Sequence, residues 1–157
     1  MAPEEGTLLA VSVSETKGVR KTNKERVRLK AEWGIEGDAH AGEWHRQVSL
    51  LAQESIDKMR ALGLDVTAGD FAENLTTTGI DVPHLSIGDH LAVGEAELEI
   101  TQIGKECHTR CAIYHQAGDC VMPKEGVFAR VLKGGEVKPG DAVRVHPLAA
   151  GGTDPIP

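Results

Sequence analysis

The stretch that indicates the fold is I-G-D-H-L-A-V-G-E-A-E-L-E-I-T-Q-I, residues 87–103. Two runs, 87–93 and 96–103, flank Gly94-Glu95, and apolar and polar residues alternate in the second from Ala96 to Ile100. A period of two is typical of half-buried strands, and a two-residue connection containing glycine is typical of a tight antiparallel turn. The stretch therefore predicts a β-hairpin.

Working outward, the same signals predict further short strands at 7–13, 27–29, 47–51 and 75–80, and a turn with a last strand within 137–145. Two helices are predicted, one at 53–62 and a short one at 127–132 that ends before Gly134-Gly135. The glycine-, histidine- and tryptophan-rich segment 33–45 suits neither element and is predicted to be an ordered loop that carries a function. Short strands separated by Gly-Asp turns predict a mainly β, barrel-like fold with a few short helices.

A length of 157 residues suits one domain. We place it at residues 7–146, with a flexible N-terminus at 1–6 and a flexible tail at 147–157, where no packing pattern is present.

The composition excludes several classes of protein. No run approaches the ~18 apolar residues of a membrane span, and the N-terminus lacks the pattern of a signal peptide. The net charge is −7 and aromatic residues make up only 3% of the chain, which argues against nucleic-acid binding. Residues 17–30 are nonetheless basic. This segment either permits the capture of a small anionic ligand or is a solvated basic loop or edge strand, and the sequence favours neither interpretation.

The cysteines lie together in T-Q-I-G-K-E-C-H-T-R-C-A-I-Y-H-Q-A-G-D-C, residues 101–120. They are Cys107, Cys111 and Cys120. Their odd number and clustering favour free or metal-bound thiols in the reducing cytoplasm. Cys107 stands among Lys105, His108 and Arg110, which favour its thiolate, the form of a nucleophile, a sulfur carrier or a soft-metal ligand. A structural zinc site and ordinary buried cysteines are the alternatives.

An ordered set of motifs resembles the MOSC domain, the C-terminal domain type of molybdenum cofactor sulfurases, which also occurs as small stand-alone bacterial proteins. The motifs are G-I-E-G-D-A-H-A-G (34–42), V-S-L-L (48–51), G-D-F-A-E-N-L (69–75), L-S-I-G-D-H-L-A-V-G-E-A-E-L-E-I-T-Q (85–102), a cysteine at 107 and V-K-P-G-D-A-V (137–143). The resemblance covers roughly residues 7 to 146, and it implies a β-barrel-like fold and involvement with the molybdenum cofactor.

The resemblance also implies that Cys107 is the reactive residue, as a sulfur carrier or a molybdenum ligand. The leading hypothesis is a protein that binds the molybdenum cofactor (molybdopterin) or carries sulfur for it, with a persulfide on Cys107. One alternative is a molybdenum-dependent reductase module for N-hydroxylated compounds, and another is a zinc-stabilised binding domain without catalysis. A cysteine desulfurase or a molybdoenzyme is the expected partner, because the chain has no pyridoxal-phosphate domain. Many relatives have proline before the cysteine, whereas Glu106 here opposes thiolate formation.

The phosphate of the pterin calls for cationic anchors, and several residues match motif positions that would line its pocket. The predicted cofactor-binding residues are Lys17, Arg20, Lys21, Asp38, His40, Arg46, Glu73, Asn74, Lys105, Arg110 and Arg130. For His40 the alternative is a loop-organising role, and for Asn74 it is a side chain that bonds its own turn. The Cys-x3-Cys-x8-Cys spacing does not match the tight pairs of structural zinc sites, so zinc ranks below buried or resolving thiols for Cys111 and Cys120.

Overall fold

The computed structural model describes residues 5–16, 21–63, 65–71, 73–103 and 126–146. Its elements in chain order are β1 (Glu5–Val13), β2 (Thr22–Lys24), β3 (Val27–Lys30), β4 (Gly34–Ile35), β5 (Val48–Ala52), α1 (Gln53–Ala61), β6 (Leu75–Thr78), a 3-10 helix (Val82–His84), β7 (His90–Val93), β8 (Ala96–Ile103), β9 (Val127–Lys133), β10 (Gly135–Val137) and β11 (Ala142–His146). Neither helix is long and apolar enough to cross a membrane within the described ranges.

Seven strands close into a barrel in the order β11-β7-β8-β9-β5-β6-β1. The barrel closes where β1 pairs antiparallel with β11, with Glu5 opposite Arg144. Strand β2 extends this sheet beside β1, while β10, β3 and β4 form a small second sheet. Only β5 and β6 run parallel among the described pairings. The predicted mainly β, barrel-like fold is therefore confirmed.

Alternation along the strands fills the barrel with aliphatic side chains. In β8, Ala96, Leu98 and Ile100 are buried in the interior, whereas Glu97 faces outward. Burial of each such leucine or isoleucine contributes about 1.5–3 kcal/mol to folding.

Strand β5 is buried on both faces because α1 packs against its outer side. Leu50 belongs to the barrel interior, whereas Leu51 packs with Ile56 and Met59 of the helix in a second apolar cluster. The predicted helix at 53–62 is confirmed as α1, and only Leu62 of this range lies outside it. It follows the last helical residue and its side chain is exposed.

The hairpin predicted at 87–103 is confirmed as β7 and β8, with Val93 opposite Ala96. Gly94 in its turn has a φ of 53°, in the left-handed region that favours glycine. A Cβ at this position would lie 2.4 Å from Asp141 Oδ2, so the close packing of the turn also requires a residue without a side chain.

The helix predicted at 127–132 is wrong, because these residues form β9. Val127, Phe128 and Ala129 are buried, and β9 pairs with β8 on one side and β5 on the other. A short apolar run that is buried on both faces has no period that separates strand from helix. Pairing with β8 and β5 decides in favour of the strand. Gly134 does not end a helix but connects β9 to β10, where a Cβ would lie 2.5 Å from the Leu29 carbonyl oxygen.

Candidate functional site

Asp38 organises the loop 36–47 that joins β4 to β5. Its Oδ1 accepts hydrogen bonds from the Ser14 backbone N–H at 3.0 Å and from Lys21 Nζ at 2.8 Å. Its Oδ2 accepts one from the backbone N–H of His40 at 2.9 Å. A single carboxylate thus fastens the loop to the segment that follows β1.

Lys21 and Asp38 form a buried ion pair, with both side chains 0% exposed. Lys21 Nζ also donates to Ser14 Oγ at 2.9 Å. Burial by itself raises the pKa of the Asp38 carboxyl, but the nearby His40 ring, Lys21 and the backbone donors together lower that pKa well below its usual range. Asp38 is therefore ionised, and the structure brings two of the predicted cofactor-binding residues into contact with each other.

His40 lies against this pair with one ring nitrogen unsatisfied. The residue is 8% exposed, and its buried Nδ1 has no hydrogen-bond partner among the described residues. Asp38 Oδ2 is 3.7 Å away, outside hydrogen-bonding distance. The ring is parallel to that of Trp44, with centroids 6.5 Å apart, and Trp44 Nε1 donates to the His40 carbonyl at 2.7 Å. A buried polar atom without a partner has a free-energy cost, so this nitrogen is suited to bind a ligand group.

The end of the loop is fastened to the end of β8 by Gln102. Gln102 Oε1 accepts from Arg46 Nε at 2.9 Å and lies 2.8 Å from His45 Nε2. Thr101 Oγ1 also donates to the His45 carbonyl. The Arg46 guanidinium lies over the ring of Phe128, with 5.1 Å from its carbon to the ring centroid. We call Trp44, His45, Arg46, Gln102 and Phe128 the rim cluster.

The rim cluster includes Gln102 near the end of β8 and Phe128 near the start of β9. Strand β8 ends at Ile103, opposite Val127 at the start of β9. Between them in sequence lie Lys105, Cys107, Arg110, Cys111 and Cys120, which are outside the described residues, as are Lys17 and Arg20. The described ranges contain no group of three or more His, Cys, Asp or Glu side chains that could hold a metal ion.

Glu73 supports the site from a separate, fully buried network. Its carboxylate accepts hydrogen bonds from the backbone N–H of Gly69 at 2.9 Å and of Phe71 at 3.2 Å, and from Thr76 Oγ1 at 3.0 Å. Burial raises the pKa of Glu73 above its ordinary value, against the lowering effect of these hydrogen bonds. Gly69 in turn accepts from the Lys21 backbone N–H at 2.8 Å, so the network reaches the ion pair.

Asn74 joins two barrel strands rather than bonding its own turn. Its Oδ1 accepts from the Ser49 backbone N–H at 2.9 Å and from Ser49 Oγ at 3.1 Å. Its Nδ2 donates to the Ser12 carbonyl at 3.1 Å. The motif position thus supplies cross-strand hydrogen bonds between β1 and β5.

Arg130 lies on β9 with its charge paired. Its Nε donates to Glu99 at 2.5 Å and its Nη1 to Glu32 at 3.0 Å. Of the predicted anchors that the structure describes, Arg130 faces two carboxylates, Lys21 faces one, and Arg46 faces none.

The sequence-based prediction of the site lacked Ser14 and four members of the rim cluster, namely Trp44, His45, Gln102 and Phe128. Trp44 and His45 lie in the loop that was expected to carry a function, so that expectation was the available signal. No signal marked the other three, because a serine, a glutamine or a phenylalanine in or beside a strand is common in any β protein.

Comparison with known families settles the relationship of the chain. The sequence model described as the MOSC domain matches residues 37–144, which is 108 of the 157 positions. The chain belongs to the MOSC domain family. That family is associated with molybdenum-cofactor-related function.

Solved structures of bacterial proteins share the fold of this MOSC domain. YuaD from Bacillus subtilis is 17% identical with a TM-score of 0.78, over 92% of this chain and 97% of YuaD. YiiM from Geobacillus stearothermophilus is 21% identical with a TM-score of 0.69, over 94% and 78% of the two chains. YiiM from Escherichia coli is 20% identical with a TM-score of 0.63, over 93% and 70%. A search of curated protein sequences found no match.

Proposed function

We propose that this MOSC protein binds the molybdenum cofactor beside the rim cluster and that Cys107 acts there as a thiolate or persulfide. One observation carries the proposal. Gln102 fixes both His45 and Arg46 at the end of β8, and Cys107 follows Gln102 by five positions in the sequence. The loop with the buried ion pair is therefore fastened to the end of β8, and Cys107 follows that strand end by four positions in the sequence.

The described residues fit a polar, phosphorylated pterin. His40 Nδ1 is a buried ring nitrogen that lacks a partner among the described residues, and pterin edges carry matching hydrogen-bonding groups. Arg46 is a cation that faces no carboxylate in the described part of the chain. Lys21 and Asp38 are enclosed, so we assign them to holding the loop in shape.

The chemistry of Cys107 follows from its thiolate. When bound, the cofactor supplies molybdenum held by dithiolene sulfurs, for which a protein thiolate is a matching soft ligand. As a sulfur carrier, the Cys107 thiolate attacks the outer sulfur of a donor persulfide. The sulfur–sulfur bond of the donor breaks, Cys107 gains a persulfide, and the donor leaves as its own thiolate.

The test uses the full chain and a small-molecule persulfide donor. After exposure and removal of the donor, intact mass measured without reductant is expected to rise by about 32 Da, one sulfur atom, and peptide mapping to place it on Cys107. Cys107→Ala is expected to lose this species and to retain less added cofactor on gel filtration. Cys111→Ala and Cys120→Ala serve as matched controls and are expected to keep both properties.

Two results would overturn the proposal. One is a Cys107→Ala protein that is persulfidated and retains cofactor like the wild type. The other is stoichiometric zinc in protein purified under reducing conditions, lost in Cys111→Ala, which would instead support the zinc-stabilised binding domain.

A further inference from the structure

Arg46 differs from the other described arginines in how its charge is used. Arg26, Arg130 and Arg144 each lie within 4.0 Å of a carboxylate. The other two, Arg28 of β3 and Arg60 of α1, are exposed, and Arg60 Nη1 donates to the Val66 carbonyl at 3.0 Å. Arg46 is half-buried and held by a hydrogen bond and an aromatic ring, yet it faces no carboxylate in the described ranges. A fixed guanidinium without a counterion is suited to bind an anion.

The orientation of Arg46 follows from donor and acceptor chemistry at Gln102. Arginine nitrogens can only donate, so the Gln102 atom facing Arg46 Nε is the amide oxygen. The same oxygen faces His45 Nε2, which must therefore carry the proton. Gln102 Oε1 thus accepts hydrogen bonds from both His45 and Arg46. The bond to Arg46 Nε fixes the orientation of the guanidinium.

Within the part of the chain that the structure describes, the two terminal nitrogens of Arg46 are available. They make no hydrogen bond or ion pair within the described ranges, because the contacts of Arg46 are the Nε bond to Gln102 and the Phe128 ring. Their pair of parallel N–H groups matches two oxygens of a phosphate. Since the face of the guanidinium is packed on Phe128 and Nε is taken, an anion meets a preorganised fork rather than a mobile side chain.

We propose that Arg46, oriented by Gln102 and Phe128, binds the phosphate group of a phosphate monoester. The inference rests on the proposed function, in which that ester is the phosphate end of the pterin. Of the three predicted phosphate anchors that the structure describes, it selects Arg46, because Lys21 is enclosed and Arg130 is already paired with two carboxylates.

The experiment titrates the full-length protein with methyl phosphate and follows binding by calorimetry and phosphorus NMR. Arg46→Gln is expected to weaken binding about tenfold or more, since it removes two charged hydrogen bonds. Arg46→Lys keeps the charge but loses the fork, so an intermediate affinity is expected. Arg28→Gln removes the same charge from an exposed site and is expected to leave affinity within about twofold of the wild type.

Gln102→Glu provides a second variant that leaves Arg46 in place. Its carboxylate would pair with the guanidinium and exclude the anion, so methyl phosphate binding is expected to fall about tenfold or more. Equal losses in Arg46→Gln and Arg28→Gln would overturn the proposal, because they would indicate a diffuse charge effect. Unchanged binding in Gln102→Glu would also overturn it.

Inorganic phosphate and molybdate, titrated in parallel, separate an ester from a free oxyanion. The proposal requires methyl phosphate to bind at least as tightly as either free anion, and a clear preference for a free anion would overturn it. Failure here is distinct from failure of the proposed function, which depends on persulfide formation at Cys107 and on cofactor retention. Persulfide formation is measured on the wild type, so a Cys107 persulfide together with unchanged methyl phosphate binding in Arg46→Gln would overturn the role of Arg46 alone.

Discussion

Lys21 Nζ lies 2.8 Å from Asp38 Oδ1 with both side chains fully enclosed, although the two residues are separated by 17 positions. The pair fixes the segment after β1 to the loop before β5, because Asp38 also accepts from the backbone N–H groups of Ser14 and His40. Two enclosed opposite charges stabilise one arrangement of these segments, since either charge alone would be buried without compensation.

Removal of one member of this pair should be strongly destabilising. Lys21→Met is expected to lower the free energy of unfolding by about 3–5 kcal/mol, because the Asp38 carboxylate stays buried without its cation. Asp38→Asn should have a loss of similar size, since it leaves the Lys21 ammonium uncompensated. Urea unfolding followed by circular dichroism measures both.

The matched control for this prediction is the exposed pair between Arg144 and Glu5, at 2.6 Å. Arg144→Gln is expected to change stability by no more than about 1 kcal/mol, because solvent screens an exposed pair. Comparable losses in Lys21→Met and Arg144→Gln would contradict the importance given to burial of the Lys21–Asp38 pair.

The pH dependence of stability should carry the signature of Asp38. Its pKa in the folded state lies below the ordinary value of 3.8, so the folded state binds this proton less tightly than the unfolded state does. The contribution is fully present above pH 3.8 and is lost as the pH falls below it. Asp38→Asn should therefore lose less stability on acidification than the wild type.

Glu73 acts in the opposite direction over a neighbouring range. Its pKa is raised above 4.5 by burial, so its contribution is present below pH 4.5 and is lost as the pH rises through the folded-state value. For this reason the test of Asp38 is the difference between wild type and Asp38→Asn at each pH, in which the Glu73 effect cancels. A difference that stays constant down to pH 3 would contradict the lowered pKa of Asp38.

The parts of the fold that sequence patterns predicted are those with local causes. The β7–β8 hairpin has alternation and a glycine turn within 17 residues, and α1 has apolar residues at helical spacing before Gly63. Closure of the barrel depends on the pairing of β1 with β11, two strands from opposite ends of the chain, which no local pattern encodes. The same reason explains the error at β9, whose strand state is imposed by β8 and β5 on its two sides.

The candidate site divides along the same line. Asp38, His40, Glu73 and Asn74 were predicted because they stand in motifs. The partners of His40 and Glu73 are local, whereas Asp38 and Asn74 also bond residues that are distant in sequence. Nothing in the sequence pairs Asp38 with Lys21, or Arg46 with Gln102, which lies 56 positions away. The kinds of residue could therefore be predicted from the sequence. The folded contacts were needed to show that Lys21 and Asp38 are enclosed, and that Arg46 faces no carboxylate within the described ranges.

Asn74 should act as a structural residue rather than as a ligand. Asn74→Ala removes an acceptor from Ser49 and a donor to Ser12 in a fully buried setting, and about 2–4 kcal/mol of stability should be lost. At a temperature where the variant is folded, its affinity for methyl phosphate should equal that of the wild type. Reduced affinity in a folded Asn74→Ala protein would assign this side chain to the ligand instead.

Alanine substitutions in two glycine turns can separate the cost of a steric clash from the cost of backbone strain. Gly94→Ala meets two obstacles, a φ of 53° and a Cβ placed 2.4 Å from Asp141 Oδ2. The Asp141 carboxylate cannot simply move away, because the same Oδ2 accepts from the Lys138 backbone N–H at 3.0 Å. Gly140→Ala is the matched control: its φ is 97°, and a Cβ there has no atom within 4 Å.

Both alanine variants lose the glycine preference for the left-handed region, which costs about 1 kcal/mol. Gly94→Ala should lose a further 1–3 kcal/mol or so, because the turn and the Asp141 carboxylate must rearrange around the new methyl group. Urea unfolding of the two variants measures the difference directly. Equal stability losses would show that the Asp141 carboxylate yields freely, and that the strands are held by their pairing rather than by this contact.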